Sequence, residues 1–316
     1  MPRSHAADRG GRMILVAGEG LIDLTVDGDG RYTAHPGGGP ANTAVALGRL
    51  GVPVGFLGGL STDRFGDLLR SHLSDAGVDL GLAVDTDAPT TLAVASLDPT
   101  GAASYAFYLD GTSAGAVSAD RVPLELPAEV TGFWYGTLGL VLEPTATTLV
   151  DLVARHASRV VVGVDPNLRP TAIPDLPTHL RRLTGVMAAA DIVKLSTDDA
   201  AVMRPGADPA ATAAWVQSLG PGLVLLTRGG TGVSALTRSE TIDLPVPDVP
   251  VVDTIGAGDA YAAGILAGLH DRHLLSKEGV AALGVDELEA IHRFAAAVAA
   301  VTVSRPGADP PWRSEL

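Results

Sequence analysis

Short, continuous apolar runs alternate along this chain with segments in which apolar residues recur at helical spacing. Met13 to Gly18 reads MILVAG, a run that ends in glycine. Val54–Gly59, Phe133–Gly136, Val160–Asp165, Asp191–Leu195 and Leu223–Thr227 have the same character. They are apolar throughout, as strands covered on both faces are. Helical spacing marks Ala41–Leu50, Asp63–Ala76, Pro144–His156 and, more weakly, Pro209–Ser218. Strands that alternate with helices predict βαβ units around a mostly parallel sheet.

Two regions break this rhythm. Residues 21–34 and 90–109 alternate polar and apolar positions and read as antiparallel strands, the second pair turning at Asp98-Pro99-Thr100-Gly101. They are expected to form a small β lid projecting from the α/β body. A plain edge hairpin is the alternative. Val233–Leu236 and Thr241–Leu244 predict a further hairpin around Thr237–Glu240.

Composition narrows the function classes. The 316 residues are 46% hydrophobic and 18% charged, ordinary for a globular protein with a sizeable core. A net charge of −14 argues against a nucleic-acid partner, which needs clustered cations. Lys194 and Lys277 are the only lysines, and there is no cysteine, so thiolate chemistry and Cys-ligated zinc are excluded. No apolar stretch is long enough to span a membrane. Residues 1–12 carry no signal-type core and read as a disordered leader, leaving residues 13–316 as the working domain and the cytoplasm as the expected compartment.

The segment Asp253-Thr254-Ile255-Gly256-Ala257-Gly258-Asp259 precedes Ala260–Leu269, which is small and apolar at helical spacing. A glycine-rich turn therefore opens a buried helix. The first amides of a helix lack internal partners and favour anions, and Gly256 and Gly258 allow close approach of a phosphate. Asp259, in the first turn, is placed to accept a proton from an attacking hydroxyl. On spacing alone, a helix cap explains this aspartate equally well. Earlier, Pro36-Gly37-Gly38-Gly39-Pro40-Ala41-Asn42 repeats the pattern, with Asn42 able to bond sugar hydroxyls.

Together these blocks resemble the two signatures of the PfkB, or ribokinase-type, carbohydrate kinases. The resemblance runs from about Met13 to Pro311, with further collinear matches at Gly18–Asp23, Asp165–Arg169, Lys194–Asp199 and Thr227–Gly232. It implies a ribokinase-like three-layer α/β/α sandwich with a small β-sheet lid, and ATP-dependent phosphorylation of a sugar. It implies Asp259 as base, with Gly256, Ala257 and Gly258 as anion hole. Asp23, Gly38, Gly39, Asn42 and Arg169 are the implied sugar ligands. Lys194, Ser196, Thr227, Gly229 and Gly232 are the implied ATP ligands, together with the helical segment Ile291–Val303. Asp199 is the implied Mg²⁺ residue, and Asp253, Ile255 and Gly307 the implied monovalent-cation site, for K⁺. A homodimer formed through the lids is also implied. Ser196 and Asp199 stand where the family usually has Asn and Glu. Leu21 and Gly39 stand where ribokinases carry Asn and Lys, which favours a ketohexose such as fructose, or a sugar acid, over ribose. A nucleoside kinase of the same fold is the alternative.

Gly111-Thr112-Ser113-Ala114-Gly115 formally matches the nucleophile elbow of α/β serine hydrolases, making Ser113 a rival nucleophile. The residues that follow do not read as the buried helix an elbow requires, so the match is expected to be a joint between lid and body. His270 and His273 could bind a metal or simply complement a helix end. Trp134 and Tyr135 could face substrate or fill the core.

Overall fold

The computed structural model describes residues 12–26, 29–97 and 103–316. The chain opens with β1 (Met13–Ala17), β2 (Leu21–Val26), β3 (Tyr32–Gly37), α1 (Gly39–Arg49), β4 (Val54–Leu57), β5 (Gly59–Ser61) and α2 (Arg64–Asp75). Next come β6 (Val84–Thr86), β7 (Leu92–Leu97), β8 (Ala103–Tyr108), β9 (Val130–Gly136), α3 (Thr145–His156) and β10 (Val161–Asp165). They are followed by α4 (Leu176–Ala188), β11 (Ile192–Ser196), α5 (Thr197–Met203), α6 (Pro209–Ser218), β12 (Leu223–Thr227), β13 (Val233–Thr237) and β14 (Thr241–Leu244). Last are α7 (Ala257–Asp271), α8 (Lys277–Ala281) and α9 (Val285–Val303).

One sheet carries the body, in the order β14-β13-β12-β11-β10-β9-β1-β4. From β4 to β12 all neighbours are parallel, and β13 and β14 complete it as an antiparallel edge. Successive strand residues point to opposite faces. Ile14 and Val16 accordingly enter one core with α1, α2, α7 and α9, and Leu15 and Ala17 enter another with α3, α4, α5 and α6. The result is the expected three-layer α/β/α sandwich. Trp134 and Tyr135, both nearly inaccessible, fill these two cores and do not face a substrate cavity.

The α7–α9 contact depends on missing side chains. A Cβ on Gly264 would sit 2.5 Å from the Ala295 Cα, and one on Gly268 would sit 2.8 Å from an Ile291 methyl. Close approach of the helices buries α7 from Ala260 to Leu269 and fixes the position of its N-terminal end.

The lid is a separate sheet in the order β3-β2-β7-β8. Its outer pairs are antiparallel as expected, but its two hairpins join through a parallel pairing of β2 with β7. The reason is topological: β2 leaves the body straight after β1, and β7 returns from the far side of α2 running the same way. The turn expected at residues 98–101 and the leader at 1–11 lie outside the described residues.

Candidate active site

A cavity of about 620 Å³ opens between lid and body, at the C-terminal ends of the parallel strands. Brought together around it are Asp23 from β2, Gly38 and Gly39 at the start of α1, Asn42, Arg169, Lys194, and Gly256, Gly258 and Asp259 at the start of α7. Open α/β sheets place ligands at this end of their strands. Ala93 and Phe107 contribute from the lid.

The floor is the first turn of α7. Gly256 takes φ 75° as N-cap, a left-handed conformation suited to glycine, and a Cβ there would meet Ala308 at 2.6 Å. Helix geometry leaves the amides of Gly258 and Asp259 without intrahelical partners. Asp259 is 9% exposed, and its Oδ2 accepts a hydrogen bond of 2.9 Å from Asn42 Nδ2. Asn42 thus orients this carboxylate as well as lining the cavity. Burial raises the Asp259 pKa, against the Lys194 charge, the Asn42 bond and Arg169.

Further carboxyls face the same space. Burial, helped by the charge of Asp259, lifts Asp23 to about 6. Glu19, which sequence reading passed over, is 2% exposed and lines the cavity. Its carboxyl accepts from Thr137 Oγ1 at 2.6 Å and from the Gly139 amide at 3.1 Å, and burial pushes its pKa up to about 7. Thr137 and Asn167 also line the cavity, and both hold positive φ, 51° and 38°. Glu19 and Asn167 fall inside the collinear segments Gly18–Asp23 and Asp165–Arg169 without a role assigned to them there, and Thr137 lies outside every motif.

On the other flank, Lys194 Nζ donates to Asp165 Oδ2 at 2.8 Å, with both side chains 6% exposed. Burial raises Asp165 to about 6 against the pull of Lys194. Arg169 is exposed, and its Nη1 donates to the Leu168 carbonyl at 3.0 Å.

Ser196, Asp199, Thr227, Gly229, Gly232, Asp253, Ala257 and Gly307 stand outside the cavity lining, whereas Ile255 belongs to it. Ser196 and Asp199 form a reciprocal cap at the start of α5. Asp199 Oδ1 accepts from the Leu168 amide at 2.6 Å, and Oδ2 accepts from Ser196. Asp199 is thereby engaged in fastening the loop that carries Arg169. Thr227, Gly229 and Gly232 lie one strand further along, where Ser196 pairs with Thr227. Beyond them Asp243–Pro247 and the α9 residues His292, Arg293 and Ala296 line a groove of about 390 Å³. Asp253, Ile255 and Gly307 do meet: Asp253 accepts from the Ile255 amide at 3.0 Å and from the Gly307 amide at 2.8 Å.

Ser113 does not form an elbow. It starts a single 3-10 turn rather than a helix, is fully buried, and accepts a hydrogen bond from the Thr91 amide. His270 contacts the Arg12 carbonyl, and among the described residues no cluster of His, Asp and Glu could hold a metal ion. Nor is any helix among them long and apolar enough to cross a membrane.

Comparison with known proteins identifies the family and the fold. The family model described as pfkB family carbohydrate kinase matches residues 12–315. A fructokinase of Rhizobium leguminosarum bv. trifolii is 38% identical over 275 residues, 86% of this chain and 84% of that one. The crystal structure of fructokinase with bound ATP from Xylella fastidiosa superposes with a TM-score of 0.87 at 29% identity, covering 94% of this chain and 93% of that one. Aminoimidazole riboside kinase from Salmonella enterica, complexed with aminoimidazole riboside and an ATP analogue, gives 0.81 at 25% identity, with 94% and 95% covered.

Proposed function

Given that this chain belongs to the pfkB family of carbohydrate kinases, and so is an ATP-dependent sugar kinase, we propose that it phosphorylates a neutral ketohexose such as fructose, with Asp259 as general base. The observation that carries this reading is the position of Asp259. It is a buried carboxylate in the first turn of α7, beside unpaired amides and the Lys194 ammonium, at the floor of a sugar-sized cavity.

In this reading the sugar lies under the lid against Asp23, Gly38, Gly39, Asn42 and Arg169. The phosphates of ATP reach the amides of Gly256, Ala257 and Gly258, with Lys194 beside them. The rest of the nucleotide extends over Ser196, Thr227, Gly229 and Gly232 toward α9. Transfer requires little covalent help, so positioning and charge stabilisation dominate. The sugar hydroxyl attacks in line and gives its proton to Asp259, whose raised proton affinity makes it a stronger base. Mg²⁺ bound with the nucleotide supplies neutralisation of phosphate charge. The all-oxygen cap of Ser196 and Asp199 suits its water shell. The Asp253–Ile255–Gly307 junction suits a monovalent cation such as K⁺. Residues 13–316 act as one kinase domain, with lids that pair into a homodimer through the face bearing exposed Tyr32 and Tyr108.

Substrate class follows from charge. Asp23 and Asp259 face one cavity in which the Lys194 charge is taken up by Asp165 and Arg169 is the remaining cation, which disfavours a carboxylate on the ligand and so favours a ketose over a sugar acid. Likeness to the riboside kinase supports nucleosides as the second reading. A coupled ADP-release screen over fructose, ribose, 2-keto-3-deoxygluconate, adenosine and aminoimidazole riboside tests both. Turnover highest with fructose is expected; preference for the sugar acid or a nucleoside overturns the ketohexose assignment.

A further inference from the structure

Lys194 reaches from β11 to the first turn of α7, where a Cβ on Gly258 would begin 2.8 Å from its Nζ. Its ion pair is with Asp165 on β10. Among the described residues no ion pair joins it to Asp259, although the charges of Lys194 and Asp259 act on each other. Three carboxylates, Asp165, Asp199 and Asp259, therefore attract one buried ammonium, and Asp165 holds it.

Stability gives no reason for this arrangement. A buried ion pair is on average no better than apolar residues of the same volume. Here, moreover, Asp165 Oδ1 is buried and accepts no hydrogen bond among the described residues, which adds the cost of an unsatisfied acceptor. The pair makes sense as a device that fixes where the cation sits. We propose that Asp165 is a positioning residue for phosphoryl transfer: it holds the Lys194 ammonium beside Gly258 and off the Asp259 carboxylate. The inference rests on the reading of Asp259 as base.

Without the Asp165 charge, Asp199 and Asp259 remain to draw the ammonium; both Asp199 oxygens are already engaged by Leu168 and Ser196, which leaves Asp259. Pairing with Asp259 would weaken the base and withdraw positive charge from the anion hole together. The other groups acting on Asp259 are Asn42 and Arg169, which favour its ionised form, and the carboxyls of Glu19 and Asp23, which oppose it. Asp199 also acts on Lys194. All of these remain in a variant at 165.

Asp165→Asn is expected to lower kcat by about 10- to 100-fold while the sugar KM moves less than about threefold. The acid limb of the kcat/KM profile should move to lower pH by about one unit, because Asp259 gains a cation and loses a neighbouring anion. Asp165→Glu, which keeps the charge, should leave that limb in place. In the double variant Asp165→Asn/Lys194→Met the loss should equal that of Lys194→Met alone within about twofold. An unmoved acid limb, or losses that multiply, would overturn the proposal. Should Asp165→Asn not fold, the wild-type protein still decides. With two lysines in the chain, the Lys194 ¹⁵Nζ signal should shift when ADP, aluminium fluoride and the sugar are added together. An unchanged signal sinks the idea. Retention of turnover by Asp259→Asn would instead defeat the base assignment, and leaves these readouts separate.

Discussion

Asn42 Nδ2 donates a hydrogen bond of 2.9 Å to Asp259 Oδ2 across 217 residues of sequence, joining the N-terminal ends of α1 and α7. The proposed sugar wall and the proposed phosphate site are thereby referenced to one another. Asn42→Ala removes a bond to a charged group, worth roughly 1.5–3 kcal/mol. kcat/KM should fall about 10- to 100-fold. The lost donor favoured the ionised carboxylate, so the acid limb of the pH profile should move upward. Steady-state kinetics across pH would check both.

Asp259→Asn keeps the shape of the first turn and removes the proton acceptor. kcat should drop by on the order of 10²–10⁴, the usual range for general-base catalysis. The sugar dissociation constant, measured by calorimetry, should change less than about threefold. A variant with near wild-type turnover is incompatible with the proposed chemistry.

Glu19 makes stability depend on pH. Folded, it holds its proton up to about 7, whereas the unfolded chain releases it near 4.5. The folded state therefore binds more protons between these values, and stability falls as pH rises through them. Asp23, raised from 3.8 to about 6, acts in the same sense at lower pH. Glu19→Gln should melt higher than wild type at alkaline pH, by up to about 3 kcal/mol, with the advantage vanishing in mild acid. Thermal melts of both proteins across pH would show a constant offset if the shift were absent.

The α7–α9 seam admits no side chain at Gly264, where a Cβ would approach Ala295 to 2.5 Å. Gly264→Val should cost about 3 kcal/mol or more through overpacking. Gly185 provides the contrast: it lies exposed on α4 with nothing near a new Cβ. Gly185→Ala should stabilise by roughly 0.4–1 kcal/mol. Chemical denaturation of the two variants gives the comparison.

The sheet was readable because strands covered on both faces are apolar without interruption, as in Val161–Asp165 and Leu223–Thr227. Helix α4 was not read, since Gly185 weakens its propensity and its start lies in the proline-rich stretch Pro170–Pro177. Its buried face of His179, Leu183, Val186 and Met187 nevertheless has helical spacing. The parallel union of β2 and β7 is set by chain routing, which no local pattern records. At the site, the glycine-led openings of α1 and α7 were legible because a glycine-rich turn before a helix is a local pattern. Glu19 and Asn167 sat inside recognised segments but their roles were not legible, and Thr137 had no motif, since each gains its place from contacts made far along the chain. Asp165 was quoted only inside a motif, and its pairing with Lys194 belongs to the folded state alone.

The division of sugar-facing groups between lid and body has a consequence for economy of ATP. Asp23 and Phe107 belong to the lid, while Asn42 and Asp259 belong to the body. In the proposed reading, an acceptor that bridges both sides is what would latch the chamber shut. Water is too small to bridge the two halves, so under that reading wasteful nucleotide hydrolysis would be held down by architecture rather than by any single side chain.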